Sequence, residues 1–131
     1  MDSARTILLV DDDPALSAVF TALLRHAGYT VLNAGSAKEA LDLLRANTVS
    51  AIITDLHMPK MDGAELLARV SINQIAANAN NVPAILITGS GEFEDLYAHA
   101  PGVDAILIKP SARRVLLRTL ERVMAEKKPE D

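Results

Sequence analysis

The chain has 131 residues, half of them hydrophobic, with 13 basic and 17 acidic side chains for a formal net charge of -4, and it has no cysteine. That length supports one domain with a packed core, and the ordinary charged fraction excludes a disordered chain. The acidic balance gives no footprint for nucleic acid, and the missing thiols exclude a disulfide framework, a thiolate metal site and a thiol nucleophile.

The first apolar run, Ile7–Val10, leads straight into Asp11-Asp12-Asp13. It is too short, and too acidic downstream, for a signal peptide. Nothing approaches the roughly 18 apolar residues of a membrane span, so the sequence reads as soluble and cytoplasmic. Asp13 is an N-cap candidate with Pro14 at the first helical position. Leu16, Val19, Phe20, Leu23 and Leu24 then repeat as the apolar face of an amphipathic helix, and Gly28 ends it. Tyr29–Ala34 alternates polar and apolar, the pattern of an edge strand with one wet face. Ser36 caps a second helix with Ala37, Ala40, Leu41 and Leu44 on its buried face.

A third strand, Ala51–Thr54, opens the Asp55–Gly63 loop. The helix behind it carries Leu66, Leu67 and Val70 and fades into Asn78–Asn81. Ala84–Thr88 is the fourth strand, a short helix is expected around Glu92–His99, and Ala105–Ile108 is the fifth strand. The last helix runs from about Ser111 to Lys127 over buried Leu116, Leu117, Leu120, Val123 and Met124, with a frayed tail at Lys127–Asp131. Strands alternating with helices imply right-handed crossovers and a parallel sheet covered on both faces. The reading is therefore one α/β domain over residues 1–131, with its core at about 5–126.

Each of Asp11, Asp12, Asp55, Thr88 and Lys109 directly follows or ends an apolar run. Parallel strands would gather all five at the carboxyl edge of one sheet, where ligands of open α/β folds sit. Three carboxylates there repel one another, and Lys109 offsets only part of that. All-oxygen ligands at an open cleft suit Mg²⁺. A carboxylate can also attack phosphorus to form an aspartyl phosphate, a transfer governed by positioning and charge neutralisation. Asp55 is the best nucleophile because it stands alone at the end of a middle strand, whereas the paired Asp11 and Asp12 suit metal binding.

Val10-Asp11-Asp12-Asp13-Pro14, the string Asp55-Leu56-His57-Met58-Pro59-Lys60-Met61-Asp62-Gly63, Thr88-Gly89 and Lys109-Pro110, in this order and at these spacings, closely resemble a response-regulator receiver domain. The resemblance implies a flavodoxin-like, doubly wound (βα)5 sandwich with five parallel strands in the order 2-1-3-4-5. It implies that Asp55 takes a phosphoryl group from a histidine kinase or a histidine phosphotransfer protein. Asp12, Asp55 and the His57 backbone carbonyl would hold Mg²⁺ directly and Asp11 through water. Thr88 would swing toward the phosphoryl group and Lys109 would pair with it, aimed by a Lys109-Pro110 bond that is often cis in such domains. A downstream protein would bind the last two helices and the final strand, without direct contact to nucleic acid or membrane.

Simpler roles fit several of these residues. Asp13 reads as a cap alone, Asp62-Gly63 as a turn that starts a helix, and Met58 and Met61 as loop packing. At His57 the backbone matters more than an exposed side chain, and His57 and Ser90 are candidates for tuning how long the phosphoryl group survives. Arg114, Arg118 and Arg122 line one face of the last helix, by default a solvated face and otherwise a docking stripe for an acidic partner.

Three departures from the family pattern stand out, one of them a slightly short Thr88–Lys109 segment whose brief helix is bounded by Pro101-Gly102 and is expected to give a mobile or remodelled surface. Ile106 occupies a position that is usually Tyr or Phe, so any switch must be read through other groups. Ser111 replaces a bulky residue after Lys-Pro and is a candidate helix cap. The competing readings are a pseudo-receiver acting as a phosphorylation-independent interaction module, which the complete acid–Thr–Lys set opposes, and an enzyme of another doubly wound family. For the latter the chain has few rings to stack on a flavin. A single-domain regulator and a receiver cut from a longer protein fit the sequence equally.

Overall fold

A computed structural model describes residues 5–76, 82–89 and 96–126. Five strands, Thr6–Val10 (β1), Thr30–Ala34 (β2), Ala51–Asp55 (β3), Ala84–Thr88 (β4) and Ala105–Ile108 (β5), form one sheet in the order β2-β1-β3-β4-β5. Every neighbouring pair is parallel. Among the described residues four helices pack on it: Pro14–His26 (α1), Ala37–Ala46 (α2), Gly63–Ala76 (α3) and Ala112–Glu126 (α4). The fold is the flavodoxin-like sandwich expected from the sequence, with the predicted strand order.

Alternation of side chains explains why the inner strands are apolar throughout. Ile7, Leu9, Ile53, Ile85 and Ile87 point to one face and meet Phe20 and Leu24 of α1 and Leu116, Leu120 and Val123 of α4. Leu8, Val10, Ile52 and Leu86 point to the other and meet Ala40 of α2 and Leu66, Leu67 and Val70 of α3. Most of these side chains are fully buried. Each such Leu or Ile contributes about 2 kcal/mol of burial free energy, so both layers are firmly held to the sheet. β2, at the edge, buries only Val31 and Ala34, as its mixed pattern requires.

Most of the helix signals are used as read. Asp13 Oδ1 accepts from the Ala15 and Leu16 amides at 2.9 and 3.4 Å, and Ser36 Oγ accepts from the Glu39 amide at 3.1 Å. Gly28 ends α1 at φ 102, a left-handed conformation open to glycine. Val19 departs from its expected place: it is 40% exposed, because the sheet reaches only the stripe around Phe20 and Leu24. Leu41, Leu44 and Leu117 are half-buried rather than buried. Ser111 departs as well. Its hydroxyl donates to the Ile108 carbonyl at 3.0 Å, back toward β5, instead of capping α4.

Of the helix expected around Glu92–His99, Leu96 and Tyr97 are helical and residues 90–95 lie outside the described residues. The predicted fading at Asn78–Asn81 and the tail Lys127–Asp131 also lie outside them.

Candidate functional site

β1 has β2 on one side and β3 on the other, so the chain winds in opposite directions from it. Such a reversal opens a crevice at the carboxyl ends of the strands. Backbone hydrogen bonds fix each polar strand end there. The Asp11 amide donates to the Ala34 carbonyl at 3.0 Å, the Leu56 amide to Ile87 at 2.8 Å and the Lys109 amide to Thr88 at 2.8 Å. Asp55 is the last residue of β3, the central strand.

The crevice brings the sequence-predicted acids together. One carboxylate oxygen from each of Asp11, Asp12 and Asp55 lies within 4.8 Å of the others. Asp11 and Asp55 are buried and Asp12 is exposed. Lys109 Nζ sits 3.1 Å from Asp55 Oδ1. Thr88 is fully buried at the end of β4, next to β3 in the sheet. At an effective dielectric of about 20, each carboxylate pair repels by roughly 3 kcal/mol, and the Lys109–Asp55 attraction is roughly 5 kcal/mol. One ammonium therefore does not balance three anions.

Asp11 records the imbalance. Burial first, and then the charges of Asp55 and Asp13, push its carboxyl above the usual range, against the opposing pull of the Asp13 amide and Lys109. The Asp13 amide donates to Asp11 Oδ1 at 2.9 Å. Asp13 thus does more than cap α1: it also fixes the carboxylate two residues before it. The signal for this was the Asx-turn habit of Asp.

Asp55 Oδ1 is buried and makes no hydrogen bond among the described residues. Lys109 reaches it at ion-pair distance without hydrogen-bond alignment. A buried, charged oxygen left in this state calls for a further cation. Three oxygen donors around it fit a hard divalent ion such as Mg²⁺.

The Asp55–Gly63 loop is held tightly behind the cleft. The Gly63 amide donates to the Leu56 carbonyl at 2.9 Å, and Lys60 turns the chain at φ 72. A Cβ on Gly63 would collide with the Asp55 carbonyl oxygen, so only glycine lets α3 start this close to the strand end. Asp62 Oδ1 accepts from the Glu65 amide at 2.8 Å, a capping role. Met58 is buried and Met61 packs on the α2–α3 side of the core, as expected for loop packing. The His57 side chain is exposed. Ile106 is half-buried and packs on that same side. Ser90 lies outside the described residues. The Lys109-Pro110 bond is cis.

The chain is similar to known proteins over most of its length. Residues 7–121 match the response regulator receiver domain family. The transcriptional regulatory protein GlrR of Escherichia coli is 33% identical over 94% of this chain and 27% of its own length. The response regulator MprA of Mycobacterium avium is 31% identical over 95% of this chain and 53% of its own length. The chain thus spans between about a quarter and a half of these relatives.

Among solved structures, a CheY-like receiver domain protein from Methanospirillum hungatei superposes with a TM-score of 0.79 at 29% identity, covering 95% of this chain and 97% of that one. The receiver domain of a sensor histidine kinase from Pseudomonas aeruginosa, solved with a magnesium ion coordinated in its active site cleft, gives a TM-score of 0.80 at 27% identity over 94% of this chain and 99% of that one. Sheet order, the acidic cleft and these matches agree: the chain belongs to the response regulator receiver domain family of two-component systems.

Proposed function

We propose that this receiver takes a phosphoryl group on Asp55 from a phosphohistidine in a histidine kinase or phosphotransfer protein. The reading rests above all on Asp55 itself: buried at the end of the central strand, with Oδ1 unbonded beside Lys109 and two further carboxylates. In the transfer, an Asp55 oxygen bonds to phosphorus as the phosphorus–nitrogen bond breaks and the histidine leaves as imidazole. Asp11, Asp12, Asp55 and the His57 carbonyl would hold Mg²⁺, which when bound supplies positive charge against the phosphoryl oxygens. Lys109 neutralises a further oxygen, and the Thr88 hydroxyl donates to another once the group is in place.

Asp55 therefore serves as acceptor, and the domain assists its own phosphorylation and dephosphorylation. Occupancy shifts the domain between two states, read by a protein partner at β5 and the flanking helices. His57 and Ser90 tune the lifetime of the acyl phosphate. Residues of the core at about 5–126 form the working unit, acting in the cytoplasm. Among the described residues no helix is long and apolar enough to cross a membrane, which fits that setting.

Acetyl phosphate with and without Mg²⁺, followed by intact mass, tests the proposal. The expected result is a Mg²⁺-dependent gain of one phosphoryl group that Asp55→Ala abolishes. A folded protein that gains nothing would instead be a pseudo-receiver, an interaction module indifferent to phosphate.

A further inference from the structure

α4 places its charges against its own dipole. Arg113 and Arg114 lie in the first turn, where the helix end is positive, no acid accompanies them there, and no base stands in the last turn. Every other helical arginine has a local reason for its place. Arg25 sits in the last turn of α1. Arg45, in the last turn of α2, also pairs with Asp42 at 2.7 Å. Arg69 pairs with Glu65 and Arg122 with Glu126, each at 3.3 Å. Arg113, Arg114 and Arg118 are exposed, and among the described residues no carboxylate pairs with any of them. The stripe suggested by the sequence therefore loses Arg122 and gains Arg113.

A local rule broken without compensation among the described residues points to a surface compensated from outside. We propose that Arg113, Arg114 and Arg118 dock an acidic helix of a protein partner. Arg114 and Arg118 stand one turn apart, about 6 Å along the axis, which matches carboxylates four residues apart on a facing helix. Guanidinium forks suit carboxylates held in such fixed geometry. A protein partner fits better than nucleic acid, because the chain as a whole carries a net charge of -4 and would repel a phosphate backbone beyond this one face. The inference deepens the partner surface proposed above and rests on that reading, while the docking itself needs no phosphoryl group on Asp55.

The test uses the full chain, labelled with ¹⁵N, and three probes at low ionic strength: an alanine-rich helical peptide with glutamate at every fourth position, its lysine counterpart, and a mixed-sequence DNA duplex. The glutamate peptide is expected to give saturable shifts centred on Arg113, Arg114 and Arg118. Arg114→Glu with Arg118→Glu should weaken it about tenfold or more, and so should the milder Arg114→Gln with Arg118→Gln to a smaller degree, whereas Arg45→Glu leaves it within about twofold. Shifts that do not saturate, that spread equally to Arg45 and Arg69, or that DNA reproduces with equal affinity overturn the proposal. In the free protein, Arg113→Glu with Arg114→Glu should raise the thermal midpoint by about 3 °C by restoring the dipole rule. A lower midpoint would show that the arginines stabilise the domain itself and would remove the ground for a partner.

Discussion

The acidic cleft and the outer face of α4 are both charge imbalances, opposite in sign and in burial. In the cleft, three carboxylates crowd within 4.8 Å around one ammonium, and two of the three are buried. On α4, three exposed guanidiniums pair with no carboxylate among the described residues. The buried imbalance is rigid: strand hydrogen bonds fix the backbone, and a collision-free path for α3 exists only through Gly63. It can be relieved only by a small ion or a small charged group. The exposed imbalance rests on flexible, solvated side chains that salt already screens, and a surface of matching charge would satisfy it further. In the proposals made above, the first region takes up phosphate and the second docks a partner.

The largest effect should come from removing what the two regions share. Leu116 is fully buried beneath α4, against the face of the sheet that ends in the cleft. Leu116→Ala should destabilise the domain by about 4 kcal/mol, measured by urea unfolding. A loss below about 1 kcal/mol would mean that α4 is not seated on the sheet as described.

Lys109→Met should separate the regions next. Removing the ammonium 3.1 Å from Asp55 should slow phosphoryl uptake from acetyl phosphate about 100-fold. Binding of the glutamate peptide to α4 should not change. Uptake at the unaltered rate would assign Lys109 to structure alone.

How much of this was legible beforehand follows the same division. Strand ends are dictated by apolar runs, so the positions of Asp11, Asp55, Thr88 and Lys109 at one edge followed from order and spacing alone. The caps at Asp13 and Ser36 were legible because each bonds to its own helix two or three residues on. What failed depended on distance in space. Val19 obeys the helical period, yet it lies beyond the reach of the sheet. Ser111 has the chemistry of a cap and spends its proton on Ile108. Arg122 shares the spacing of Arg114 and Arg118, and Glu126 removes it from the stripe. Side-chain partners on an exposed helix are chosen by rotamers, which a periodic pattern does not specify.

Two glycines sharpen the rigidity of the cleft. Gly63→Ala should cost about 2 kcal/mol, since its Cβ would press on the Asp55 carbonyl oxygen. Gly89→Ala, with nothing within 4 Å of its Cβ, should stay within about 0.5 kcal/mol. Equal effects in thermal unfolding would deny that the loop is pinned to the nucleophile.

The smallest effect probes the acidic end of α4 through Tyr29, a half-buried residue that packs beside it. Burial first and the charge of Glu121 second raise the Tyr29 phenol above its ordinary 10.0, while Arg5 pulls it down. Above pH 10.0 the unfolded chain releases this proton before the folded one does, so folding is then opposed by the proton held in the native state. The contribution of Tyr29 is therefore fully present below pH 10.0 and is lost as pH rises through the folded value. Tyr29→Phe should flatten that decline in unfolding midpoints. With Tyr97→Phe leaving Tyr29 as the sole tyrosine, phenolate absorbance reports its titration directly. Glu121→Gln should move it down toward 10.0, and Arg5→Gln should move it further up. A titration that ignores both substitutions would mean that burial alone sets the shift, and that the charges of α4 do not reach across to the end of α1.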